Sequence, residues 1–108
     1  MIDWAQVEEL QAEMGDAFGE LVDAFLQEVD EGLARLDAQA PAAEQAAALH
    51  FLKGSALNLG FSEFAGLCSQ GELAANAGRS PAFDPEVILQ CYQRSRGEFL
   101  TGLSRRAA

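Results

Sequence analysis

The sequence predicts an all-α protein, an antiparallel four-helix bundle with a short N-terminal capping helix. Apolar residues recur at three- and four-residue spacing in five successive segments, which is the period of an α-helix. Helix-start and helix-stop residues separate these segments at short intervals, as in bundles with short loops. Strand signals are missing from the sequence, since apolar residues do not alternate at period two. A chain of 108 residues has room for one core, so we expect a single domain over residues 1–108.

The first predicted helix is short. Asp3 is a favourable N-cap, and Gln6, three residues later, completes a capping box. The helix is expected to end after Met14, where Gly15 and Asp16 interrupt the pattern. Its apolar residues share one face and are Trp4, Val7, Leu10 and Met14.

The second predicted helix has the most regular pattern of the chain. Asp16 is placed to cap it, and the apolar period continues to about Gln39. The apolar positions are Phe18, Leu21, Val22, Phe25, Val29, Leu33 and Leu36. The opposite face is acidic and carries Glu20, Asp23, Glu28, Asp30 and Glu31.

The third predicted helix spans about residues 41–59. Pro41 suits its first position, and Gly60 is placed to end it in a left-handed conformation. Ser62 is expected to cap the fourth helix, about residues 63–77. The inward stripe of that fourth helix comprises Phe64, Leu67, Cys68, Gly71 and Ala75.

The fifth predicted helix begins after a loop at residues 76–81. Asp84, Pro85 and Glu86 supply a cap, a proline at the first position and an acid in the first turn. We expect the helix to end near Arg106, where positive charge suits the helix dipole. Its inward residues are expected to be Val87, Ile88, Cys91, Tyr92, Phe99 and Leu103.

The formal net charge of −10 disfavours nucleic-acid binding, because phosphate backbones are held by clusters of Lys and Arg. Residues 1–49 carry twelve acids and one base, Arg35, so a partner of that half should present basic groups. No apolar run approaches the ~18–20 residues that cross a bilayer, and no signal segment opens the chain. We therefore expect a cytoplasmic protein with no membrane contact. Cys68 and Cys91 lie in apolar stretches and are expected to be buried free thiols.

The only histidine of the chain, His50, is predicted to face outward. With about 100° per residue, one stripe of the third helix is apolar and comprises Leu49, Leu52, Ala56 and Leu59. His50, Gly54 and Leu57 fall on the side away from that stripe, and Lys53 lies between the two sides. Gly54 removes a side chain that would crowd the imidazole, and Lys53 places a cation close to it.

Several chemistries are poorly supported at His50. Catalytic zinc needs three protein ligands, whereas the chain offers one histidine and two separated cysteines. The sequence has no nucleophile elbow for a serine-type triad and no glycine-rich phosphate loop that opens a helix. We expect neither a metal ion nor a nucleotide on this chain. An exposed imidazole beside a cation and a cleared space suits carriage of a phosphoryl group on nitrogen.

The residues around His50 resemble the H-x-L-K-G-S-x motif of histidine-containing phosphotransfer (Hpt) domains. They read His50-Phe51-Leu52-Lys53-Gly54-Ser55-Ala56 and are followed by Leu59-Gly60. The resemblance extends over the whole chain, because the capping helix, the acidic second helix and the motif-bearing third helix follow in the order found in that family.

The resemblance implies a role for each site residue. His50 would accept the phosphoryl group through Nε2, Lys53 would offset its charge, and Gly54 would give it clearance. Family members place a Gln or Glu on the next helix, hydrogen-bonded to Nδ1, and Glu72 occupies that position here. Gly71 departs from the family pattern, which has a large apolar residue there, and is expected to loosen or kink the fourth helix beside Glu72.

The function implied is that of a phosphorelay intermediate, which is a carrier without a kinase or nucleotide-binding site. Its partners would be a hybrid sensor kinase and the receiver domains of response regulators, with Mg²⁺ on the receiver. A monomer is favoured, and the predicted docking residues are Phe51, Leu57, Trp4, Val7, Leu10 and Met14. Two alternatives remain: the histidine-bearing region of a chemotaxis-type kinase, for whose catalytic part the chain has no space, and a helical adaptor that never carries phosphate.

Overall fold

The computed structural model describes residues 2–79 and 81–107, with Ala107 described by its backbone alone. Within these residues there is no β-strand, and the one bridge pairs Ile2 with Phe61. The helices are α1 (Trp4–Met14), α2 (Phe18–Ala34), α3 (Ala42–Asn58), α4 (Ser62–Asn76) and α5 (Pro85–Ala107), with a 3-10 turn (Gly15–Ala17) between α1 and α2. The predicted all-α class is confirmed.

Helices α2 to α5 form the bundle, and each packs on its neighbours in the chain. The contact between α3 and α4 is the most extensive, and α3 also packs on α2 and α4 on α5. The ring closes between α2 and α5, where Tyr92 donates to the backbone oxygen of Leu26 and Arg96 pairs with Asp30 at 3.1 Å. Helix α5 therefore lies diagonally across the bundle from α3.

The core is built from the apolar stripes of all five helices. Its largest fully buried side chains are Phe61, Phe64, Phe99, Leu49, Leu52, Leu59, Val7, Val29, Cys68 and Cys91. Each large apolar side chain that leaves water contributes about 1.5–3 kcal/mol to folding. Both cysteines are free and buried, as the sequence predicts, and burial raises the pKa of the Cys68 thiol to about 12. Val87 was expected to face inward but lies half-exposed on the first turn of α5.

The turn between α3 and α4 fixes how these two helices pair. Gly60 has a φ of 73°, and the N–H groups of Gly60 and Phe61 donate to the carbonyls of Leu57 and Ala56 at 3.1 and 3.0 Å. This pattern is a Schellman motif, which requires a left-handed residue at Gly60. The carbonyl of Gly60 also accepts from the N–H of Asp3 at 2.7 Å, so the start of the chain is held at this turn.

Helix α2 is shorter than its apolar period predicts. It ends at Ala34 instead of near Gln39. The carboxylate of Asp37 accepts a hydrogen bond from the N–H of Gln39 at 2.8 Å, and this local turn replaces a helical one. Leu36 still packs against the core beyond the helix end, which is why the apolar spacing continued past it.

Two predicted caps are wrong. Asp16 lies inside the 3-10 turn, and Ala17 precedes α2 without a side-chain cap. Ser62 is the first residue of α4, and Phe61 takes the cap position. In both places the helix follows directly from a turn. The carbonyls of that turn accept hydrogen bonds from the first N–H groups of the helix, so a side-chain cap is not needed. By contrast, Asp3 caps α1 as predicted and accepts from the N–H of Gln6 at 3.3 Å.

Helix α1 lies across one end of the bundle, as expected of a capping helix. The indole of Trp4 stacks on Phe99 of α5, with ring centroids 6.0 Å apart and planes within 8°. The guanidinium of Arg106 lies 3.9 Å from the centroid of the same indole. Trp4 packs closely over Gly102, where a side chain would overlap the indole ring.

We expect Gly102→Ala to lower the free energy of unfolding by about 1–3 kcal/mol, because the new methyl group must displace Trp4 from its stack on Phe99. Gly97→Ala, on the same helix, is the matched control, since its methyl group would meet nothing within 4 Å. Helix propensity should make that variant more stable by up to about 1 kcal/mol. Urea unfolding measures both, and equal stability of the two variants would contradict the packing of Trp4 described above.

Candidate functional site

His50 lies on the outward side of α3, as predicted from the helical period. Its side chain is 69% exposed. The stripe predicted to face the core, Leu49, Leu52, Ala56 and Leu59, is fully buried. Phe51 and Leu57 are about half exposed on the same helix and leave apolar surface near the imidazole.

Glu72 reaches His50 from the neighbouring helix α4. Its Oε2 lies 3.0 Å from Nδ1 of the imidazole, and its Oε1 accepts a hydrogen bond from Nζ of Lys53 at 2.8 Å. One carboxylate therefore bridges two cationic or potentially cationic groups of α3. The Glu72 side chain is 18% exposed and that of Lys53 27%, so the contact between Lys53 and Glu72 is partly shielded from water, whereas the contact with the His50 imidazole is exposed.

The electrostatics of the site keep Glu72 ionised. The hydrogen bond from Lys53 lowers the pKa of the Glu72 carboxyl below its ordinary value of 4.5, and the charges of Lys53 and His50 act in the same direction against partial burial. An ionised carboxylate is only an acceptor, so Nδ1 must carry the proton of this hydrogen bond in the neutral ring. The lone pair of that ring is then on Nε2.

Gly54 lies one helical turn after His50, and the space beside its Cα is open. Among residues 2–79 and 81–107, a methyl group on Gly54 would meet nothing within 4 Å beyond its own turn of helix, so no packing contact there requires glycine. A glycine within a helix costs about 1 kcal/mol relative to alanine. Packing among the described residues therefore does not account for a glycine at this position.

Gly71 does not loosen α4, contrary to the expectation from the sequence. Helix α4 continues unbroken from Ser62 to Asn76. A methyl group on Gly71 would lie 2.9 Å from Cδ1 of Leu49 and 3.3 Å from Cβ of Phe83, so these two side chains occupy the space that a larger residue would need. This contact brings α3 and α4 close together one residue before His50 and one residue before Glu72.

The residues of α1 that were predicted to widen the docking surface are placed differently. Val7 is 1% exposed and packs at Gly60, so its assignment as a docking residue is wrong. The amphipathic stripe of α1 is used to close the end of the bundle, and Val7 is its most central residue. Trp4 packs on α5, and Leu10 and Met14 are half-buried against the core.

A groove between α2 and α3 was not foreseen from the sequence. It has a volume of about 310 Å³ and is lined by Gly32, Arg35, Ala47, Ala48 and Phe51. Gly32 lines this groove where α2 closely approaches α3. A methyl group on Gly32 would lie 2.8 Å from Cδ2 of Leu52 and 3.4 Å from the ring of Phe51. A glycine at the edge of the apolar stripe of α2 was the available signal.

In residues 2–79 and 81–107, no group of three or more His, Cys, Asp and Glu residues is placed to hold a metal ion. None of the helices over the same residues has the length and apolar character needed to span a membrane.

Comparison with known protein families identifies the family of this chain. A family model described as the Hpt domain matches residues 20–98, which include α3, α4 and the three residues His50, Lys53 and Glu72. No curated protein and no solved structure matches the chain.

The shifted pKa of Glu72 predicts a pH dependence of stability. A carboxylate whose pKa is lowered by folding stabilises the folded state above its ordinary pKa, and this contribution is lost as the pH falls through the lower folded value. The wild type should therefore exceed Glu72→Gln in free energy of unfolding near neutral pH, and the difference should shrink below about pH 4.5.

Urea unfolding of both proteins across this range measures the difference. Because the hydrogen bond from Lys53 is the main cause of the shift, the same comparison in a Lys53→Ala background should show a weaker pH dependence. A difference that stays constant from neutral pH to pH 3 would contradict the assignment.

Proposed function

Since the chain belongs to the Hpt domain family, whose members carry phosphoryl groups in phosphorelays, we propose that His50 is the residue that is phosphorylated here. One observation carries the proposal: the imidazole is largely exposed while its Nδ1 is held by Glu72 at 3.0 Å. Nε2 is then the free nucleophilic nitrogen, and it is the atom that a phosphoryl donor can approach.

The proposed reaction is an in-line transfer from an aspartyl phosphate of a receiver domain. The lone pair of Nε2 forms the new N–P bond, the P–O bond of the aspartyl phosphate breaks, and its electron pair leaves with the carboxylate. The proton on Nδ1 stays in its hydrogen bond to Glu72, so the ring becomes positively charged as the bond forms. The Glu72 carboxylate faces that charge at hydrogen-bond distance, which stabilises the transition state and speeds the transfer in both directions.

Lys53 and Gly54 would serve the phosphoryl group itself. An ammonium at contact distance from the phosphoryl oxygens near a wet surface is worth on the order of 1–4 kcal/mol. Gly54 would leave room for the group and for the protein that delivers it, in agreement with the open space beside it.

The partner supplies the rest of the chemistry in this proposal. Hpt domains are phosphocarriers rather than enzymes, and they interact with receiver domains. Phosphoryl transfer depends mainly on positioning and charge stabilisation, so the receiver would contribute the Mg²⁺ and this chain the oriented imidazole. We place the exchange in the cytoplasm, with a hybrid sensor kinase upstream and a second receiver downstream, and with the carrier acting as a monomer.

The docking surface proposed for the receiver surrounds His50. Phe51 and Leu57 supply exposed apolar area on both sides of the imidazole, and the groove at Gly32 continues the surface toward α2. Exposed apolar patches of this kind are typical of protein-binding sites. Leu10 and Met14 of α1 are proposed to extend its border.

The central test is phosphoryl uptake by the wild type and by His50→Gln. Receiver domains carrying radiolabelled aspartyl phosphate should pass label to the wild type and none to the variant, because the variant lacks the nucleophilic nitrogen. Circular dichroism should show the same helical content for both. Equal labelling of the two proteins, or no labelling of the wild type by any receiver tested, would leave the helical adaptor as the better description.

Truncation of an exposed side chain tests the docking surface. Phe51→Ala should raise the KM for the phosphorylated receiver about threefold to tenfold with little change in kcat, because it removes contact area that is used equally in binding and in the transition state. Leu100→Ala is the matched control, since Leu100 is similarly exposed on α5, across the bundle from α3. Equal effects of the two substitutions would contradict the assigned surface.

A further inference from the structure

In the structure, the ammonium of Lys53 is already paired and is therefore not free to contact a phosphoryl group on His50. Its Nζ donates to Glu72 at 2.8 Å, and its side chain is largely shielded. Glu72 in turn holds His50 through its other oxygen. The cation assigned to the phosphoryl group is thus already engaged by the carboxylate that orients the histidine.

We propose that Lys53 changes partner when His50 is phosphorylated, leaving Glu72 for the phosphoryl oxygens, and that Glu72 is a positioning residue which competes for this lysine. The inference rests on the proposed function of His50. It adds a regulation of the same site: the carboxylate determines how tightly the phosphoryl group is retained.

The geometry permits the exchange without a change in the fold. Lys53 lies three residues after His50 on α3, and residues at this spacing are neighbours on a helix surface. Its four-carbon side chain carries a compact ammonium that can be redirected by bond rotation. The imidazole is 69% exposed, and the open space at Gly54 lies on the same outward side of α3, so the ammonium would move toward solvent and not into the core.

The charges favour the exchange only once the phosphoryl group is present. In the resting protein, Glu72 is the acidic group in contact with Nζ. A phosphoryl group on Nε2 adds about two negative charges and three strong acceptor oxygens, which compete with the single charge of the carboxylate. Glu72 still accepts the hydrogen bond from Nδ1–H, which becomes a stronger donor as the ring becomes positive. The negative charge of the carboxylate is therefore still balanced after Lys53 has left.

The competition has a consequence for the direction of transfer. Phosphorylated His50 gains Lys53 only by breaking the contact between Lys53 and Glu72, so the phosphorylated state is less stable than it would be with an uncommitted lysine. The phosphoryl group is then more easily passed to the next receiver. The amide oxygen of a glutamine at position 72 can still accept the hydrogen bond from Nδ1–H. It would hold Lys53 less tightly than the carboxylate does, because it carries no charge.

The first experiment observes the lysine directly. Lys53 is the only lysine of the chain, so labelling lysine at its side-chain nitrogen gives one ammonium resonance from residue 53. Phosphorylation of the wild type with phosphoramidate, a small donor that needs no receiver, should shift that resonance, and Glu72→Gln should shift it in the unphosphorylated protein. An ammonium resonance that does not move when His50 is phosphorylated overturns the proposal.

The second experiment measures the equilibrium between a phosphorylated receiver and the carrier. Glu72→Gln should shift it toward phosphorylated His50 by roughly threefold to tenfold, the size expected when a neighbouring negative charge is removed and a cation released. In a Lys53→Ala background the same substitution should shift it clearly less, because the lysine is no longer available. An equal shift in both backgrounds, or none in the wild-type background, overturns the exchange.

A matched control and the two donors separate the possible failures. Asp30→Asn removes a carboxylate that pairs with Arg96 on the side of α5, and should leave the equilibrium within about twofold of the wild type at the same net charge as Glu72→Gln. If phosphoramidate labels His50 but receivers do not, the relay assignment fails and the lysine resonance still decides the exchange. If receivers label His50 and Glu72→Gln behaves as Asp30→Asn, the relay stands and the exchange is wrong.

Discussion

The close packing of α3 against α4 is the constraint on which the site depends. Leu49 occupies the space left by the missing side chain of Gly71, and the next residue of each helix belongs to the site, His50 on α3 and Glu72 on α4. The turn at Gly60 fixes the register of the two helices through backbone hydrogen bonds. A hydrogen bond of 3.0 Å between side chains of different helices tolerates little error in this register. The buried contact between Leu49 and Gly71 therefore determines how accurately Glu72 is placed against His50.

Much of this arrangement follows from local rules. The period of 3.6 residues was sufficient to assign the buried stripe of α3 and the exposure of His50, and the cap at Asp3 follows from the preference of short acids for unpaired N–H groups. The same rules failed where tertiary structure prevails over them. Asp16 and Ser62 have suitable side chains, yet neighbouring turns already start those helices. Val7 shares the stripe of Trp4, and only the position of α1 across the bundle determines which of them is buried.

The shared carboxylate of Glu72 lay beyond the reach of sequence reasoning for a different reason. The resemblance to Hpt domains gives Glu72 and Lys53 separate duties, one toward Nδ1 and one toward the phosphoryl group. Their contact depends on the distance between α3 and α4, which Gly71 reduces, and that distance is a property of packed volumes instead of spacing along the chain. Gly71, through its close contact with Leu49, is thus part of what lets the one carboxylate of Glu72 contact both His50 and Lys53.

Gly54 carries a consequence for how this protein responds to selection. Among the described residues, no packed side chain occupies the space beside it, and alanine would favour the helix by about 1 kcal/mol. A search for thermostable variants would therefore favour replacement of Gly54, and each replaced protein would be well folded and more resistant to heat. If His50 exchanges phosphoryl groups with a second protein, as proposed above, the added side chain would stand in the way of that protein, and resistance to unfolding and ease of transfer would be opposed at this single position.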